Sequence, residues 1–544
     1  MGFVQDIKDI NRLREIGAVL ADEGFGFLLV KMRMHHIIPL SKRLKAAFSI
    51  DKNTSIEARL RKAMVRLGPT FVKFGQALSL RPDLIPESYV KEFEKMQDSV
   101  DPFPYAIAEK ILEEEYGKPI HAIFSHIEKT PVASASLSQV HAAILKDGAK
   151  IALKIQRPNI KEVIATDIDI LKKLVDVLGK HMSAPIAQKL QKIIREFEKW
   201  IEEELDFTME ANNAEAFRHN FQKDKHIHIP QIYHQYSTRK ILAMEFIEGT
   251  ELNQFKDQGH SKPLITYVDV IYESILKQAF VYGIFHADPH PGNIIIMRDH
   301  RVCFIDFGIV GRLDDTLKEH IADIFFGIVK NDSDLVFNAF IRLTKTTPSE
   351  ECRRELSNLI SIVKYNSLRN INVTYLFNKS FSIINKYEIH VPIDLVLFAK
   401  MVAMIEGLGL RYHPDFNFVE YSKPFAKKIV QERLTPKAIV TKVKKVSMQY
   451  KNFMEDLPED LHIILDRLKS GQMKIDIEDT DLKNFMVEIE HSSINLSIGL
   501  LIASLIIACG FILSNNVGSH LGIGGMIIAG VLLGWLMKRI WFYK

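Results

Sequence analysis

The sequence predicts an α+β fold, with a helical extension ahead of it and a pair of apolar helices behind. Three stretches carry that expectation. Residues 131–156 read as strand, turn, strand, and the helical pattern of 166–220 follows. Residues 294–297 and 302–305 are short apolar runs around the polar turn Arg298-Asp299-His300-Arg301, the pattern of a β-hairpin. Residues 494–513 and 521–537 are apolar and uncharged, each near the length needed to cross a bilayer core about 30 Å thick.

The extension comes first. Residues up to about 52 are amphipathic and helical in pattern, and 58–79 form a helix that holds Lys73-Phe74-Gly75-Gln76. Pro82 and Pro86 interrupt the pattern before 87–96 resumes it. Lys73 and Gln76 share a helix face, where a cation beside an amide can address a phosphate or a carboxylate. Taken alone, the pair reads as a solvated helix face. His35-His36 and the His226/His228 pair read as exposed or core histidines rather than metal ligands.

Next comes the small-residue run Ala133-Ser134-Ala135-Ser136, read as part of a strand over 131–141. Its Cβ atoms bar the backbone conformations open to glycine alone. Asp147-Gly148 turns the chain into a second strand. Alternation there puts Ile151, Leu153 and Ile155 on one face, and Ala152 and Lys154 on the other. In the acidic helical stretch 201–211, Asp206 and Glu210 are four apart and share a face, while Glu204 points elsewhere. The run Met244-Glu245-Phe246-Ile247-Glu248-Gly249 ends a strand.

The hairpin brings the chemistry together. Pairing 297 with 302 and 294 with 305 sets Asn293 opposite Asp306, where facing Cα atoms lie about 5 Å apart. An amide oxygen and a carboxylate that close suit Mg²⁺, which takes oxygen ligands and shares them with phosphate. Asp288 lies five residues before Asn293, on a loop stiffened by Pro289 and Pro291. This layout resembles the protein-kinase catalytic centre, where an Asp precedes a metal-binding Asn by five and D-F-G follows a short hairpin. D-F-G is Asp306-Phe307-Gly308 here, and Ala287 replaces the usual arginine of H-R-D. On the same likeness Lys154 is the strand lysine that meets phosphates, and 244–249 is the hinge, with the backbone at Glu245 and Ile247 facing adenine. The P-E motif of a kinase activation segment is missing after D-F-G.

Together these residues resemble the UbiB/ADCK family of atypical kinase-like proteins. The likeness rests on K-x-G-Q at Lys73 to Gln76, the alanine-rich loop at Ala133 to Ser136, and Lys154. It rests equally on E-x-D at Glu204 and Asp206, and on H-A-D-P-H-P-G-N with D-F-G. It covers about residues 55–490 and the C-terminal hairpin. It implies a bilobal protein-kinase-like fold with a helical N-terminal extension (1–125), an N-lobe (126–248) and a C-lobe (249–415). A basic amphipathic linker (416–490) and a transmembrane helical hairpin (494–540) complete it. It also implies that the K-x-G-Q segment folds across the pocket, with Lys73 meeting Glu204 and Lys154 meeting Glu210. The cofactors implied are ATP and Mg²⁺, the metal on Asn293 and Asp306. Asp288, Lys154 and Glu210 would be catalytic. Ala133, Ser134, Ala135, Ser136, Glu245, Ile247, Lys73, Gln76, Glu204 and Asp206 would surround the nucleotide. The family is linked to isoprenoid-quinone biosynthesis, ubiquinone or menaquinone, and ATPase activity is better supported there than protein phosphorylation. A true protein or small-molecule kinase and a nucleotide-switched scaffold both stay open.

Composition narrows the partners. Lys+Arg 71 against Asp+Glu 67 leaves +4, too balanced for a nucleic-acid protein. Cys303, Cys352 and Cys509 show neither zinc spacing nor a disulfide framework, which fits a reducing compartment. The N-terminus has no secretory-signal pattern. Lys538, Arg539 and Lys544 follow the second apolar stretch, so the positive-inside rule puts both ends of the hairpin in the cytoplasm. The expectation is a multi-pass protein of the cell inner membrane, its catalytic part facing the cytoplasm. Its expected partners are the lipid membrane, quinone precursor lipids and quinone-biosynthesis enzymes. The basic stretch 421–450 either rests on anionic lipid or is a solvated helix. The oligomeric state stays open.

Overall fold

The computed structural model describes residues 2–26 and 54–427, apart from 97–99, 181–182, 256–261, 366–372, 417–420 and a few shorter gaps. Parts of 503–507 and 528–532 are also described. The chain divides into two compact units, Met1–Ala438 and Ile439–Lys544. The lobes, the extension and the helical region below all belong to the first.

The first lobe is built on an antiparallel sheet: β1 (Phe124–Ile127), β2 (Ala133–Ser134), β3 (Ser138–Leu145), β4 (Lys150–Gln156) and β6 (Ile241–Glu245). The order is β1-β3-β4-β6, with β2 beside β3. Alternation along β4 buries Ile151, Leu153 and Ile155 completely against Phe124, Ile241 and helix Tyr105–Tyr116, which contributes Ala108 and Leu112. Lys154 therefore leaves the sheet on the other face.

The second lobe has a sheet of order β5-β10-β9-β7, from Ile227–His228, Val302–Phe304, Ile294–Met297 and Gly249–Glu251. A separate pair joins β8 (Ile284–His286) to β11 (Val310–Arg312). Helices Lys262–Leu276 and Ile393–Tyr412 pack with these strands around Tyr272, Phe285, Phe304 and Ile405. Helices Asp315–Lys330, Ser333–Thr344, Glu350–Tyr365 and Val373–Lys386 complete the region.

The extension runs as helix Ile56–Leu67, capped by the Ser55 hydroxyl, then helix Pro69–Ser79. The corner between them is Gly68, at φ 98° and ψ −163°, a conformation open essentially to glycine alone. Helix Gly2–Leu20 docks beside it. Arg12 donates to both carboxylate oxygens of the fully buried Asp167, at 2.7 and 3.0 Å, and to the Leu67 carbonyl at 2.7 Å. Ile16 and Val19 join Met64, Phe71 and Ile170 in the same cluster. The extension also reaches the helical region, where Asn385 donates to the Pro82 carbonyl at 2.6 Å and Asn378 to Glu87 at 3.2 Å.

Several expectations need correction. The stretch 131–141 is not one strand, because the Ala135 amide bonds the Ser138 carbonyl at 2.8 Å and folds it into β2, a turn and β3. The hairpin register is shifted by one residue: Val302 pairs with Ile296, Cys303 with Ile295 and Phe304 with Ile294. The cause is a three-residue turn at 298–300, closed by the Met297 amide on the Arg301 carbonyl, with His300 left-handed at φ 66°. Asn293 thus faces Ile305, whose amide it accepts at 2.9 Å, rather than Asp306. The helical run 166–220 breaks after Glu204. Asp206 is extended and accepts the Thr208 amide as the N-cap of helix Phe207–Phe221, so it does not share a helix face with Glu210.

The expected multi-pass inner-membrane placement, with a transmembrane hairpin and the catalytic part facing the cytoplasm, is also corrected. Among the described residues no helix is long and apolar enough to cross a membrane, where a span needs about 20 apolar residues. The stretches behind that expectation, 494–513 and 521–537, lie outside the described residues except for 503, 504, 506, 507 and 528–532. His35, His36 and most of the basic stretch 421–450 lie outside them as well.

Removing one member of a buried ion pair costs about 3–5 kcal/mol. Arg12→Ala should therefore lower the thermal unfolding midpoint by several degrees. The double variant Arg12→Met/Asp167→Leu, which leaves no buried charge, should recover most of the loss in the same melt.

Candidate functional site

A cavity of ≈ 200 Å³ lies where the Lys154 face of the first sheet meets the D-F-G segment. Lys73, Ala135, Ser136, Lys154, Glu204, Asp206, Glu210 and Asp306 all line it. Two ion pairs span it. Lys154 Nζ lies 2.9 and 2.8 Å from the two Glu210 oxygens, and Lys73 Nζ lies 2.6 Å from Glu204. Glu204 ends one helix and Glu210 sits in the first turn of the next. The break at Leu205-Asp206 is thus what points two acids at two lysines. The expected ring of residues is incomplete. Ala133 and Ser134 lie in β2, behind the turn that carries Ala135 and Ser136 to the wall. Gln76 donates to the Met96 carbonyl at 3.4 Å, away from the cavity. Glu245 is engaged by His228 at 2.9 Å and the Gln231 amide at 3.1 Å, and neither it nor Ile247 lies on the wall.

Asp306 reaches the cavity by backbone handedness. Its φ is 65°, a left-handed value that Asp tolerates better than most residues, and its Oδ1 accepts the Gly308 amide at 3.1 Å. Lys154 is the main cause holding the Asp306 carboxyl below the usual carboxylate range; the Gly308 amide, Lys73 and His286 act the same way, against desolvation. For Lys154, desolvation opposes the charge, yet Asp306 and Glu210 together raise its pKa. Burial pushes Glu210 up, Lys154 pulls it down and Asp306 adds to the rise. The result is a lysine held protonated between two carboxylates.

Asp288 and Asn293 do not line this cavity; they are held together within their own loop. Asn293 donates its amide to the Asp288 carbonyl at 3.2 Å, which leaves its side-chain oxygen as an acceptor. His286 is 1% exposed; its Nδ1 accepts the Asp288 amide at 3.2 Å and its Nε2–H points to the Ile305 carbonyl at 3.4 Å. His290 Nδ1 accepts the Gly292 amide. Both histidines therefore serve the loop. Among the described residues no group of three or more His, Cys, Asp or Glu is placed to hold a metal. Asp306 and Asn293 each carry an oxygen donor of the kind a hard cation takes, but the register sets Asn293 opposite Ile305, and Asp306 alone of the two lines the cavity. At ≈ 200 Å³ the cavity is smaller than the ~300–1,000 Å³ usual for small-molecule sites.

Four neighbours carried no readable motif. Asn213 donates to the Phe307 carbonyl at 3.1 Å and ties the Glu210 helix to D-F-G. Lys400, on helix Ile393–Tyr412, is lowered in pKa by burial and held up by Asp288 and Glu94. Gln139 is fully buried beside His141. Arg157 reaches back to the Ala/Ser-rich loop, and its one signal was its place three residues past Lys154, just before Pro158.

A strand lysine held by a helix glutamate, set against D-F-G across two lobes, defines a protein-kinase-like protein. Comparison with known proteins narrows the class. The ABC1 atypical kinase-like domain matches residues 95–340, the UbiB helical domain 356–417, and the ABC1/UbiB kinase-like C-terminal domain 480–542. An uncharacterized protein in the hydrogenase 1 5' region of Clostridium pasteurianum is 30% identical over 98% of both chains. A probable protein kinase UbiB of Shewanella piezotolerans is 31% identical over 88% of both. The solved complex of Mycobacterium tuberculosis Rv3197 with erythromycin aligns at 24% identity and TM-score 0.47, over 64% of this chain and 90% of that one. The chain belongs to the UbiB/ADCK family of atypical kinase-like proteins.

His286 yields a pH prediction. Burial lowers its pKa below the ordinary 6.5, so the unfolded chain binds the proton first. The stability this gives is present above about pH 6.5 and is lost as pH falls from there through the folded value. Melting temperatures from pH 8 to 5 should drop below pH 6.5, and His286→Gln should flatten that slope.

Proposed function

We propose that this protein is an ATP-using atypical kinase-like enzyme that binds Mg-ATP between its lobes, hydrolyses it, and supports isoprenoid-quinone biosynthesis, of ubiquinone or menaquinone. The carrying observation is the convergence of Lys154, Glu210 and Asp306 on one cavity, with Lys154 protonated between the two acids. The name of the Shewanella relative, a probable protein kinase UbiB, supports the quinone link.

Each residue has a role in this reading. Lys154, oriented by Glu210, puts positive charge on the phosphates. Asp306 and Asn293 would hold Mg²⁺, which when bound offsets the charge that develops on the phosphates. Asp288, fixed through His286 and Asn293, orients the attacking hydroxyl or water. Lys73 and Glu204, paired on the cavity wall, would close the side on which a kinase takes its peptide, which favours water or a small acceptor. A small-molecule kinase is the second reading. It is favoured by an adjoining cavity of ≈ 890 Å³, which shares Glu203, Gly308 and Val310 with the first and is walled by Phe197, Trp200 and Leu397.

Phosphate release from ATP with Mg²⁺ separates these readings. Asp306→Asn and Lys154→Ala should each reduce release by about 100-fold or more. Unchanged turnover in Asp306→Asn would overturn the enzyme reading. Phosphate appearing on an added acceptor rather than in water would favour the second.

A further inference from the structure

Arg157 makes more contacts than its place at a strand end requires. Its Nε donates to the Ala135 carbonyl at 2.9 Å; its Nη2 donates to Ser134 Oγ at 2.9 Å and the Asp101 carbonyl at 3.0 Å. Its own amide donates to the Leu137 carbonyl at 2.9 Å. Its guanidinium lies over the Phe103 ring, 5.7 Å from the centroid. The Phe103 backbone is in turn held by Gln139, which accepts its amide at 3.0 Å and donates to its carbonyl at 3.3 Å. One planar fork thus joins the segment leaving the extension, at 101–103, to the turn that carries Ala135 and Ser136 into the cavity. A lysine could make one of these contacts but not the set.

We propose that Arg157 is a positioning residue for the Ala/Ser-rich loop: it fixes the loop in the conformation that receives phosphate, and so ties nucleotide affinity to the segment leaving the extension. The proposal rests on the nucleotide reading above. Its physical basis is preorganisation. In a glycine-rich loop the backbone moves to meet phosphate. Here the Ala135 amide is spent on Ser138, and the loop is instead held in place before the ligand arrives. Binding then avoids the entropy of ordering it.

The experiment uses the full chain and two readouts. In Arg157→Ala, exchange of the Ala135 amide, measured without nucleotide, should rise at least tenfold. Mg-ADP affinity by titration calorimetry should weaken about fivefold to tenfold, while turnover at saturating ATP stays within twofold. Arg157→Lys should restore part of the affinity. Ser134→Ala, which removes one acceptor only, should weaken affinity by about twofold and decides the matter if Arg157→Ala does not fold. Unchanged Ala135 exchange in Arg157→Ala overturns the proposal, as does raised exchange with unchanged affinity. Failure of the wild-type chain to bind Mg-ADP would overturn the nucleotide reading and this proposal with it. The nucleotide-free exchange data distinguish that failure from a missing lock.

Discussion

The buried charge cluster of Lys154, Glu210 and Asp306 is the constraint on which the rest of the site depends. A lone ammonium in that setting would lose its proton to escape desolvation. Two carboxylates prevent this, and they come from different parts of the chain: the first turn of helix Phe207–Phe221 and the D-F-G segment. The lysine comes from the centre of the first sheet. The cluster is favourable only when all three elements are in place, so it links the lobes electrostatically as well as chemically. Asn213 on Phe307 adds a neutral tie along the same line.

Backbone exceptions aim these groups. Asp306 is left-handed, Asp206 interrupts a helix, and a three-residue turn with left-handed His300 sets the hairpin. Each departs from local regularity; Asp306 and Asp206 line the cavity, while His300 sits at the hairpin tip on Tyr267. The left-handed backbone of Asp306 is tolerated where the surrounding packing determines the conformation. Here the packing is firm: Phe304 is fully buried, and the Phe307 ring packs at a tilt on Phe217, their centroids 5.0 Å apart.

This explains what the sequence made legible. Alternation along Ile151 to Ile155 identified the Lys154 face, because burial of one sheet face leaves a plain period-two signal. The spacing of Asp288, Asn293 and D-F-G identified a kinase-like chain, because spacing along a short loop and hairpin can be read directly from the sequence. The hairpin register was misplaced by one residue, since turn length depends on a left-handed His300 that composition does not mark. Asp206 looked like a helix-face residue because an N-cap and a helical acid differ only in backbone angle. Arg157, Asn213 and Gln139 stayed hidden because their partners are main-chain atoms far along the chain, and backbone carbonyls have no letter.

The extension touches both halves of the kinase-like region. Gln139 and Arg157 hold its exit to the first lobe, while Asn385 and Asn378 grip Pro82 and Glu87 from the helical side. A rotation about residues 246–248 that parted the lobes would pull on this clasp from both ends. Parting the lobes in that way would require the Asp101 and Pro82 contacts at the two ends of the clasp to break.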